Sequence, residues 1–160
     1  MNLGQSLFAI GALVLLSLNI MGVNTRILRT DEVALDSKIG VLATSIGTST
    51  IEEASKLAFD DKTKSDPVLS KTSLTPSGSL GQEVPGVFDD FDDYNNYIQK
   101  DTIFTIPFTS VCKVSYINST NPNSSTSLQT WHKKLSIKIS TPFSRDTIEM
   151  STIYSYWYFR

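Results

Sequence analysis

The 160-residue chain has one cysteine, Cys112, and one histidine, His132. A lone cysteine excludes an intramolecular disulfide. The two residues together exclude zinc sites built from cysteine pairs or histidine clusters. Any histidine base must be His132, which lies between Trp131 and Lys133-Lys134 and reads as a surface residue at a strand start. Cys112 reads as a small core residue. There is no glycine-rich phosphate loop, internal repeat or sustained heptad. Lys and Arg number 14 against 16 Asp and Glu, for a net charge of -2. With no basic excess to neutralise phosphates, nucleic acid is not an expected partner. No residue set argues for an enzyme.

Two further absences shape the first third of the chain. No charged side chain precedes Arg26, and no proline precedes Pro67. The run from Leu7 to Val23 is long enough for the lower limit of a bilayer span, about 17 residues. In water it would have to be buried on all sides, and so small a domain has little to bury it with. Three readings are open. A cleaved secretory signal would normally carry a basic region before the apolar stretch, and none is present. A single-pass anchor fits the length, with Arg26 and Arg29 as the flanking charges. The third reading takes in the residues beyond. From Arg26, apolar residues recur at helical spacing: Leu28, Leu35, Ile39, Leu42, Ile46, Ile51, Ala54 and Leu57. One helix is therefore expected from Gln5 to Phe59, roughly 80 Å long. Gly40, Gly47 and the Thr/Ser cluster from Thr44 to Thr50 are expected to bend or loosen it. Its first half suits lipid or copies of itself, and its second half has one face for a globular head.

The later chain reads as β-rich. Residues 60–86 hold Pro67, Pro76 and Pro85 and are expected to form a surface loop. Phe88 to Gln99 reads as a short helix or helical turn. Four strands are expected over Thr102–Phe108, Val111–Ile117, Leu128–Ser140 and Asp146–Phe159, with Asn118–Ser127 as a polar loop. Cys112, Val114 and Tyr116 alternate with Lys113 and Ser115, and Leu135, Ile137 and Ile139 with Ser136, Lys138 and Ser140. That pattern implies an antiparallel sheet with one face packed, which the long helix would cover: an α+β fold. The aromatic run Tyr154, Tyr156, Trp157, Tyr158 and Phe159 reads as core packing or as a subunit contact. The sequons at Asn118 and Asn123 fit an exposed loop.

The acids Asp89, Asp90, Asp92 and Asp93 are the only cluster with site chemistry in prospect. They suit a helix N-terminus, where caps and the dipole favour negative charge. They are also calcium candidates, although their spacing is not that of an EF-hand. No other cofactor is expected.

The layout of Gly4-Gln5-Ser6-Leu7-Phe8, the apolar run and the amphipathic continuation resembles the type IV pilins and pseudopilins. Val87-Phe88-Asp89-Asp90-Phe91-Asp92-Asp93-Tyr94 resembles the FDDVDDY-type motif of prepilin-like proteins of the mannose-sensitive haemagglutinin pilus class. The resemblance covers the helix and, loosely, the last 75 residues or so. It implies a leader over 1–4, cut by a prepilin peptidase between Gly4 and Gln5. It implies a transmembrane or filament-core helix over 5–25, an amphipathic continuation over 26–59, a loop over 60–86 and a head over 87–160. Assembly residues would be Leu7, Phe8, Ile10, Leu13, Leu16, Ile20, Leu28, Leu35 and Leu42. Partners would be copies of the chain or other pilin-like subunits, after residence in the bacterial inner membrane; the filament would stand at the cell surface. The family usually has glutamate at the fifth mature position, where this chain has Ala9. In the family that glutamate pairs with a neighbour's terminal amine. With Ala9 the amine is satisfied otherwise, the subunit caps a filament, or the site is not processed. The alternative function is a single-pass anchored protein whose head binds a partner without polymerising.

Overall fold

The computed structural model describes residues 2–156. Trp157, Tyr158, Phe159 and Arg160, the end of the expected last strand, lie outside the described residues. The chain divides into two compact units, Met1–Ile39 and Gly40–Arg160. One helix, α1 (Leu3–Ser55), belongs to both.

α1 runs through Gly40, Gly47 and the hydroxyl-rich segment without an interruption. The hydroxyls are absorbed by the helix itself: Ser17, Thr25, Thr30, Ser37, Thr44 and Thr50 each donate to the carbonyl four residues earlier, at 2.8–3.0 Å. Such back-bonding leaves Ser and Thr compatible with a helix interior. α1 stops four residues before the expected Phe59. Lys56 and Leu57 close its end with bonds to Glu53 and Ala54 carbonyls, each 3.2 Å.

In the second unit the buried stripe of α1 is Ala43, Ile46, Gly47, Thr50 and Ala54. This is rotated from the expected stripe: Leu42 is only half-buried, and Ala43, Gly47 and Thr50 take the inner positions. Gly47 is there for closeness. A Cβ on it would lie 2.5 Å from Met150 Sδ and 3.0 Å from Ile139 Cδ1.

That face of α1 lies on a five-stranded antiparallel sheet: β1 (Ile98–Ile103), β2 (Ile106–Asn118), β3 (Asn121–Thr126), β4 (His132–Ser140) and β5 (Ile148–Ser155). The order is β1-β2-β4-β5, with β3 also on β2. Cys112 faces Ile137 and Val114 faces Leu135 across β2 and β4; Ile137 faces Met150 across β4 and β5. Period-two alternation thus puts the apolar residues of three strands on one face. Leu135, Ile137 and Ile139 are all but sealed from solvent. Each such burial contributes about 1.5–3 kcal/mol.

Three expected boundaries shift. The first expected strand, Thr102–Phe108, is a hairpin turn: Phe104 and Thr105 sit at φ 48° and 70°, between β1 and β2. Of the short helix or helical turn expected over Phe88–Gln99, a single 3₁₀ turn forms, Phe91–Tyr94, and Asn96 at φ 61° redirects the chain into β1. The polar loop Asn118–Ser127 contains β3. Residues 60–86 are also more built than expected, with 3₁₀ turns at Asp61–Thr63, Lys71–Ser73 and Ser77–Ser79 and with Leu74 and Leu80 buried.

Gly47→Leu is expected to destabilise the detergent-solubilised chain by about 1–3 kcal/mol through overpacking. Gly47→Ala should cost less, because the Met150 thioether is flexible. Thermal unfolding checks both; an unchanged midpoint for Gly47→Leu would remove the close approach of α1 to β4 and β5.

Candidate assembly surface and buried acidic site

The first unit offers a surface rather than a cavity. Leu7, Phe8, Ile10, Leu13, Leu16, Ile20 and Leu28 are each more than half exposed, and Leu35 is 43% exposed. Gly4 and Gln5 stand in the first turn of α1 and are exposed. Leu42 alone of the expected assembly residues is partly covered. The helix is long and apolar enough to cross a membrane. Its hydroxyls at Ser17 and Thr25 are bonded within the helix, which removes the penalty of placing them in hydrocarbon.

The second unit holds a buried charge network that the sequence did not announce. Lys133 is the second residue of β4 and points to the same face as Leu135. It is fully buried. Its ammonium has three protons and finds three acceptors: the Phe59 carbonyl and Asp60 Oδ2, both at 2.8 Å, and Asp92 Oδ1. The Phe59 and Tyr116 rings stand 4.7 and 5.3 Å from Nζ. Asp60 is itself saturated. It accepts from Lys62 N at 3.1 Å, Thr75 N at 3.1 Å and Thr75 Oγ1 at 3.0 Å, and Tyr116 Oη stands 3.3 Å from it while donating to the Thr75 carbonyl at 2.7 Å. The end of the long helix, the 60–86 segment, the acidic turn, β2 and β4 therefore meet at one cation.

The acidic turn is placed by the backbone. Phe91 N donates to the Ala58 carbonyl at 2.8 Å. Asp90 caps the 3₁₀ turn through Oδ1, accepting from Asp92 N at 2.9 Å and Asp93 N at 3.2 Å. Asp93 reaches back through Oδ2 to Asp90 N at 3.0 Å and Asp89 N at 2.7 Å. The expected capping role is present. Asp90, Asp92 and Asp93 are buried, and only Asp89 is exposed.

The electrostatics divide the acids. Burial raises Asp60, but the Lys133 charge and the donors around it prevail and hold the carboxyl below its ordinary value. Burial outweighs Lys133 at Asp92 and raises it. Asp90 is pushed up to about 8 by burial, then by the charges of Asp92 and Asp93. Four buried carboxyls thus stand against one buried ammonium.

Nor do the four sequence-predicted calcium candidates form one set. Asp92 belongs to Lys133. Glu83, which sequence reasoning passed over, joins Asp89, Asp90 and Asp93, one oxygen from each lying within 4.8 Å of the others. Cys112 is buried in β2, and burial pushes its thiol up to about 11. His132 starts β4, half-buried, with Nδ1 2.8 Å from Ser155 Oγ.

No family model, curated protein or solved structure matches the chain.

Lys133→Met leaves Asp60 and Asp92 buried without their cation and is expected to cost about 3–5 kcal/mol; removing Asp92 as well, in Lys133→Met/Asp92→Leu, should cost less than Lys133→Met alone. Denaturant titration of both variants compares them. Acid has a signed effect through Asp60. Its folded value lies below that of an ordinary aspartate, so its contribution is present above the ordinary value and lost as pH falls through the native one. Below about pH 4 the wild type should lose stability faster than Asp60→Asn, read as the unfolding midpoint against pH.

Proposed function

We propose that the chain is a structural subunit of a type IV pilus-like or pseudopilus filament. It would reside in the bacterial inner membrane before assembly and be displayed at the cell surface afterwards. The observation that carries this reading is a single helix that has no charged side chain before Arg26 and exposes its large apolar residues there, while its last turns are built into a β-sheet head. Exposed apolar surface on this scale needs lipid or other chains around it. A filament core built of such helices satisfies it as a bilayer does, so one segment serves both states. Helix packing of this kind needs no enzyme chemistry and no cofactor in the helix.

In this reading a prepilin peptidase cuts between Gly4 and Gln5, and the residues of α1 from Leu7 to Leu28 pack with copies or with other pilin-like subunits. The acidic motif and the sheet supply the head. Ala9 favours a second reading, in which the chain is a single-pass anchored protein whose head binds a partner and never polymerises. An alanine there gives a neighbour's terminal amine no carboxylate partner.

The mass of the N-terminal peptide from native cells separates the two. The filament reading expects a chain starting at Gln5, with a methyl group on its amine, recovered in sheared surface fractions. An intact Met1 found only in membranes supports the anchor. Both readings expect Leu13→Arg to deplete the membrane fraction. A charge at the centre of a span costs about 2.5–3.5 kcal/mol, on the order of a hundredfold in partition. Undiminished membrane recovery of that variant would remove both.

A further inference from the structure

Asp90 and Asp93 each spend one carboxylate oxygen on the cap of the acidic turn. The second oxygen of each, Asp90 Oδ2 and Asp93 Oδ1, has no hydrogen-bond partner among the described residues, and neither has Asp92 Oδ2 beside them, although the three residues are at most 1% exposed. A buried carboxylate oxygen left unmatched is costly, and native chains rarely keep one without a ligand, ion or water. Here three lie in one turn, and two of them, on Asp90 and Asp93, belong to residues that other acids approach.

A second, independent feature meets them. Glu83 comes from the 60–86 segment, several residues before the turn, and Asp89 from its threshold. With Asp90 and Asp93 they bring one carboxylate oxygen each to within 4.8 Å of one another. Oxygens that share one Ca²⁺ at 2.3–2.6 Å can be no further apart than about 5 Å. The donor set is all oxygen, which disfavours zinc. Two exposed members leave room for water in the remaining coordination positions. One cation, Lys64, already neighbours this group: its ammonium pairs with Asp89 Oδ1 and with Asp61 Oδ1, the latter at 2.7 Å. It reaches the exposed acid, not the buried pair.

We propose that Glu83, Asp89, Asp90 and Asp93 form a Ca²⁺ site that locks the end of the 60–86 segment onto the acidic turn. The ion would take the two free buried oxygens together with the two exposed carboxylates. Lys64 would keep Asp61 as its partner. Asp92 is outside the site, held by Lys133. The proposal is independent of whether the chain polymerises.

The test uses the full chain in detergent, stripped with EDTA and then titrated with CaCl₂ at constant ionic strength. The unfolding midpoint is expected to rise by about 5 °C or more at saturation. Tb³⁺ should bind with one ion per chain and be displaced by CaCl₂. Glu83→Gln/Asp89→Asn changes only the two exposed ligands and leaves the buried cap intact, so it should fold. It is expected to weaken CaCl₂ binding at least tenfold. Asp66→Asn, an exposed acid outside the site, should leave binding unchanged. No midpoint shift in the wild type, an equal shift with MgCl₂, or an undiminished shift in Glu83→Gln/Asp89→Asn would each overturn the proposal.

Discussion

Lys133 places an ammonium where no water reaches, and the head is arranged around the consequences. An isolated buried charge is far too costly to keep, so its three protons must be matched. They are matched by groups from distant parts of the chain: the Phe59 carbonyl and Asp60 after the long helix, and Asp92 from the acidic turn. Asp60 in turn fixes Thr75, whose carbonyl accepts from Tyr116. A helix end, an irregular segment and a sheet are thereby given one geometry. Buried ion pairs seldom add much net stability, but they penalise every arrangement that separates the partners. That penalty ties Asp60 and Asp92 to β4.

The two units meet different physical demands. The head solves an ordinary problem, a sheet with one apolar face covered by a helix. The exposed apolar part of α1 has no solution within the chain, and the proposed filament or membrane environment supplies one from outside. Back-bonded hydroxyls allow a Ser- and Thr-containing helix to serve in either setting.

Much of the fold was legible because it follows from periodicity. Absence of proline and charge marked the long helix, and strict alternation marked β2, β4 and the packed face. What was missed had physical reasons. The β1–β2 turn uses Phe104 and Thr105 at positive φ, where glycine or asparagine would have signalled it. β3 is wholly polar, Asn-Pro-Asn-Ser-Ser-Thr, and carries no apolar alternation to read. Lys133 was in plain phase with Leu135 and Ile137, and that phase was the available signal; a lysine on an apolar face is easily dismissed as a strand edge. The acids were identified, but their sorting was not, because it depends on Lys133 and on Glu83 arriving from another segment.

The position of Gly47 bears on the order of events during synthesis. Its neighbours Ile139 and Met150 come about ninety to a hundred positions later in the chain. The inner stripe of α1 therefore cannot be covered until β4 and β5 have been made, and contacts of such separation close slowly. A ribosome would release the greasy N-terminal segment long before the head is complete. Whatever receives that segment must do so while everything downstream is still unfolded.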